Sequence, residues 1–132
     1  MSWDKNTLEK MVRTYFAGVD GEDLGLVLST LTFDCLFSVE THQVKLVGRS
    51  EITTMFERLW VGHKTVCHDQ FKFITDPENG RVAVQFRVTN TLHDGGLVFK
   101  SNCNFFTVTG DMFSAVNVYM AGVNTLTGPK AR

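Results

Sequence analysis

The spacing of apolar residues changes once along this chain, from helical to alternating, and that change constrains the fold more than any other feature. Leu8, Met11, Val12, Tyr15, Phe16 and Val19 recur at the three- and four-residue intervals that line one side of a helix. Leu24, Val27, Leu28 and Leu31 repeat the spacing over a shorter run. Ile52, Met55, Phe56, Leu59 and Trp60 repeat it again after a first strand. From residue 64 onward the period is two. Helices gathered at the front with antiparallel strands behind them describe an α+β domain. A curved sheet wrapped over helices encloses a pocket, and function is expected there.

The 132 residues suit one domain, with a core over about residues 7–121 and a polar tail, 124–132, expected to fray. The net charge is -1, and Lys and Arg are scattered, so no nucleic-acid-binding patch is expected. No apolar run approaches the roughly 20 residues of a membrane helix. The first residues lack the apolar segment of a secretion signal, which makes the cytoplasm the expected location. Cys35, Cys67 and Cys103 are odd in number and show no C-x-x-C spacing, so they read as reduced, packed thiols. The four histidines form no metal-binding motif, and neither a metal nor an organic cofactor is expected.

The spacing predicts a first helix over about 7–19, stopped by Asp20-Gly21 and capped by Asp4 or Asn6. Asp23 is placed to cap a second helix ending near Leu31, and Ser50 a third. Strands are expected at 33–40, with Phe33, Cys35, Phe37 and Val39 on one face, and at 44–47. Four long strands follow, at 65–75, 81–92, 97–108 and 112–120, separated by turn sequences such as Asp76-Pro77-Glu78-Asn79-Gly80. Strands of that length must twist, which suits a half-open cone.

Tyr15 through Leu24, the strand at 33–39, Gly48 with Ile52, and a closing hairpin turned at Gly110 resemble the nuclear transport factor 2-like superfamily. That superfamily includes ketosteroid isomerase and the SnoaL-like polyketide cyclases. The resemblance covers about residues 7–121. It implies a cone-shaped α+β half-barrel, a curved mostly antiparallel sheet over three N-terminal helices, with a deep apolar cavity and a homodimer formed through the outer sheet face. Ketosteroid isomerase places a tyrosine hydroxyl and a protonated aspartic acid on the developing oxyanion. Tyr15 stands at the tyrosine position, and counting back from Gly110 puts Asn104 at the acid's. The isomerase's base is an aspartate where this chain has Val39, so steroid isomerisation itself is not expected.

Each candidate carries two readings. Tyr15 is either a core aromatic or a donor to a ligand oxygen. Asn104 is either an inward donor or part of a dimer interface. Glu40 and His42, at the end of the first strand, and Asp69, beside Cys67, are candidate bases or merely hydrated groups. By strict alternation Cys67 and Asp69 share a face with Phe71 and Phe73, while His68 lies opposite, facing outward. A histidine on the cavity wall would nonetheless make a good proton shuttle. Phe16, Phe37, Val39, Phe56, Trp60, Phe86, Phe106, Val118 and Met120 are candidates for the wall around a small, largely apolar molecule. The function expected is cofactor-free acid–base chemistry on a carbonyl compound, as isomerase, cyclase or dehydratase. A non-catalytic binding module or a dimeric interaction domain is the alternative.

Overall fold

A computed structural model of the chain describes residues 3–126. Helix α1 spans Lys5–Asp20, and the Asp4 carboxylate accepts from the Thr7 amide at 2.7 Å, satisfying one of the donors a helix start leaves open. Helix α2 spans Leu24–Ser29, with Asp23 accepting from Leu26 at 3.0 Å in the same way. Helix α3 spans Gly48–Gly62. It starts two residues before the expected cap at Ser50. Gly48, at φ +88°, turns the chain there, and Glu51 reaches back to accept from the Val47 amide at 2.8 Å.

The strands are β1 (Leu31–Val39), β2 (Val44–Val47), β3 (Thr65–Asp76), β4 (Arg81–Thr91), β5 (Leu97–Thr109) and β6 (Met112–Tyr119). They form one open sheet in the order β2-β1-β6-β5-β4-β3. All pairings are antiparallel except β1 with β6, so the sheet is mixed. The helices pack on its concave side, and the architecture is the cone-like α+β half-barrel expected.

Two irregularities decide which side chains face inward. In β1 the register against β6 shifts between Leu31 and Leu36. Phe33 is therefore 80% exposed, while Cys35, Phe37 and Val39 are fully buried. In β3 the register against β4 shifts between Asp69 and Lys72, where Gln70 adopts φ 57°. An extra residue in a strand exchanges the faces beyond it. His68 consequently lies on the same side as Phe71 and Phe73, and Cys67 and Asp69 on the other, the reverse of simple alternation.

Beyond β6 the chain turns back against the sheet as a strap, residues 121–126. Asn124 is buried and Leu126 packs on the core, so the start of the expected frayed tail belongs to the folded structure. Residues 127–132 lie outside the described residues. No described helix is long and apolar enough to cross a membrane.

Candidate functional site

The inward side of β5 sets the character of the cavity. Reading back from the Gly110 hairpin, its buried residues are Val108, Phe106, Asn104, Asn102 and Lys100. The apolar half of that row is packed solid. Phe106 meets Phe113 at 4.6 Å between ring centroids, and Tyr15 sits edge-on to Phe106 at 5.3 Å. The polar half borders a narrow cavity of about 30 Å³. That is room for about two water molecules.

Tyr15, His68, Asn90, Lys100, Asn102 and Asn104 supply the polar lining. Phe16, Phe37, Phe56, Phe86, Val118 and Met120 line it as well. Val39, Trp60 and Phe106 do not border the cavity. Val39 and Phe106 are packed in the core, and Trp60 stacks on Phe56 and donates its indole N–H to the Val19 carbonyl at 2.9 Å.

The three residues expected as bases lie elsewhere. Glu40 is exposed and accepts from the Ser38 hydroxyl at 2.5 Å. His42 pairs with the Thr41 hydroxyl at 2.9 Å in the short turn after β1. Asp69 is exposed and stands opposite Arg87 on the convex face. Among the described residues, no carboxylate lines the cavity.

A histidine does, and it has a carboxylate behind it. His68, whose side chain is 11% exposed, points its Nδ1 at the Asp20 Oδ1 at 2.5 Å. The other Asp20 oxygen accepts from the His68 backbone N–H at 2.8 Å. The imidazole is held between Phe16, at 4.6 Å between centroids, and Phe86, at 5.5 Å. Because a carboxylate only accepts, Nδ1 carries the hydrogen and Nε2 is left free to take or give a proton. Asp20 is the last residue of α1, where the helix dipole disfavours a negative charge. Its two bonds to His68 give it a purpose that helix stability does not. The strand bulge at Gln70 hid this pair from a reading by alternation, and Asp20 read simply as a helix stop.

Two further features mark the cavity as built for a polar group. The side-chain oxygens of Asn90 and Asn104 are buried without a hydrogen-bond partner. Such an orphan costs about 1–3 kcal/mol unless something fills the role. Burial also pushes the Tyr15 hydroxyl far above the ordinary phenol range, with smaller contributions from Cys35 and Asp20, so it remains a donor at any physiological pH.

No protein-family profile matches the sequence, and no curated protein does. Solved structures do match in shape. A polyketide cyclase candidate from Xanthomonas campestris pv. campestris superposes with a TM-score of 0.80 at 16% identity, over 87% of this chain and 90% of the other. An NTF2-like protein of unknown function from Burkholderia pseudomallei gives 0.76 at 14% identity, over 90% and 92%. TerC, co-crystallised with polyporic acid, gives 0.75 at 14% identity, over 86% and 91%. The chain therefore has the fold of the nuclear transport factor 2-like superfamily, which SnoaL-like and ketosteroid isomerase-like proteins share.

Proposed function

We propose that the chain binds a small, ring-sized carbonyl compound in the cone and moves a proton on it, as a cofactor-free isomerase, cyclase or dehydratase. The observation that carries this reading is the Asp20–His68 pair beside a cavity into which Tyr15 and Asn104 are also built. His68 Nε2 takes the proton from carbon, and Asp20 holds the ring and stabilises the imidazolium. Tyr15 and the Asn104 amide donate to the oxygen on which charge develops. Val39 leaves the usual carboxylate position apolar, and His68 supplies a base from another strand. The co-crystallisation of TerC, which shares this fold, with polyporic acid is in keeping with a ring-sized ligand.

The test is deuterium uptake from D2O into the α-positions of 2-tetralone, followed by NMR. The wild type is expected to accelerate uptake, and His68→Gln to lower that acceleration by at least about 100-fold. An unchanged rate in His68→Gln contradicts the proposal.

The reading extends to the assembly. Phe99, Phe105 and Tyr119 are 70%, 38% and 42% exposed on the convex face, and a second copy of the chain would cover them. Sedimentation of the wild type at twice the monomer mass, and of Phe99→Asp as a monomer, is the expected result. The three unpaired cysteines suit a reducing compartment, the cytoplasm.

A further inference from the structure

Lys100 is a buried ammonium with no carboxylate of the described residues paired to it. It faces inward from β5 at 8% exposure. Its Nζ donates to the Ala121 carbonyl, and to the Val123 carbonyl at 2.7 Å. Among the described residues the single ion pair is His68–Asp20, so no side-chain charge balances Lys100. An ammonium taken from water needs a compensating anion, and two neutral carbonyls supply less than one carboxylate would. Burial accordingly lowers the pKa of Lys100.

The position of this charge is as informative as its lack of a partner. Lys100 lines the inner cavity and also a surface cleft of about 430 Å³ bounded by Val98, Phe99 and the strap residues Ala121–Val123. Thr125 borders both spaces as well. Lys100 and the strap thus form the wall between an apolar cleft open to solvent and a cavity too small, at about 30 Å³, to admit a ring. The strap is fastened at this wall by polar groups: besides Lys100, the Asn102 side-chain oxygen accepts from the Ala121 amide at 3.0 Å.

We infer that Lys100 reads an ionised carboxylate on the ligand. The molecule that enters the cone is a small apolar acid whose carboxylate takes the Lys100 ammonium from the Ala121 and Val123 carbonyls. That exchange unfastens the strap, joins cleft to cavity, and lets the apolar body move in among Phe16, Phe56 and Phe86. The inference deepens the reading of the cavity as a ligand site and rests on it. It adds the charge of the ligand and the group that recognises it.

The test uses 2-naphthoate and its methyl ester, which share an apolar body and differ in charge. Dissociation constants are measured by titration calorimetry for the wild type, Lys100→Met, Lys100→Arg and Gly122→Ala. The wild type is expected to bind the acid at least about tenfold more tightly than the ester. Lys100→Met removes the preference and Lys100→Arg retains most of it. Gly122→Ala controls for the strap: its added methyl lies 3.3 Å from the Lys100 Nζ at φ +68°, so it loosens the strap while the charge stays, and the acid preference persists. Equal binding of acid and ester by the wild type, a preference that survives in Lys100→Met, or binding of neither probe overturns the inference. 2-Tetralone has no carboxylate and enters only when the strap opens unaided, so its slower exchange judges the proton-transfer reading separately from the acid preference. An acid preference without exchange would leave Lys100 as the anchor of a purely binding site.

Discussion

The two halves of the concave face differ although one strand runs through both. Toward the Gly110 hairpin, β5 contributes Phe106 and Val108, which meet Phe113 and Tyr15 in a dry, close-packed cluster. Toward its start the same strand contributes Asn104, Asn102 and Lys100, which border a cavity and include an unpartnered oxygen and an uncompensated charge. A protein selected only for stability would extend the first pattern along the strand. The second costs free energy in the empty state, and such costs gather where a ligand relieves them. Tyr15 belongs to both halves: its ring packs with the cluster while the residue borders the cavity.

Mutations should separate the halves. The largest effect is expected from Phe106→Ala, which opens a void in the packed half and should cost about 3–5 kcal/mol in urea unfolding. A cost below about 1 kcal/mol would mean that this half is not close-packed. Asn104→Leu, in the polar half, should act in the opposite direction. It removes an orphaned oxygen at similar volume and should stabilise the fold by about 1–3 kcal/mol while abolishing ligand binding. Loss of stability would show that Asn104 is structural. Tyr15 gives a smaller, pH-dependent signal. Its folded pKa is raised, so the unfolded chain loses the proton first, and the wild type should lose up to about 1.4 kcal/mol of stability per pH unit above about pH 10. Tyr15→Phe should show a correspondingly shallower decline, and parallel curves would place the hydroxyl in water. The smallest perturbation is thiol labelling at pH 8. Exposed Cys67 should react first and Cys103 later. Cys35, fully buried and pushed up to about 12 chiefly by burial, should react only on unfolding. Early labelling of Cys35 would contradict the inward placement of β1.

The fold was legible because it rests on periodicity and turn chemistry, which are local. The helical stripes, the cap at Asp4, the cap at Asp23 and the four long strands all follow from residues near one another. The family resemblance, with a count back from Gly110, singled out Tyr15 and Asn104, and both border the cavity. His68 was not, because one bulged residue at Gln70 exchanges the faces of β3, and no composition marks a bulge of this kind in advance. The role of Asp20 was equally hidden. It touches His68 across 48 positions of sequence, a proximity that exists only once α1 lies on β3. Glu40 and Asp69 illustrate the converse: a titratable residue faces solvent unless the packing draws it in. The tail expected to fray from residue 124 instead begins folded, because Asn124 is buried and Leu126 packs on the core, contacts that only the assembled sheet provides.

The most direct test of the whole account is Asp20→Asn, assayed for deuterium uptake into 2-tetralone alongside thermal stability. Asn keeps the size of the side chain but can accept only one of the two bonds: with its oxygen on the His68 backbone N–H its NH2 faces Nδ1, so the unfolding midpoint should fall by a few degrees. The exchange rate should fall by about tenfold to 100-fold, because nothing then fixes the proton on Nδ1 and leaves Nε2 as the base. An unchanged rate with a lowered midpoint would contradict the account, reducing the Asp20–His68 pair to a fastening between helix and sheet.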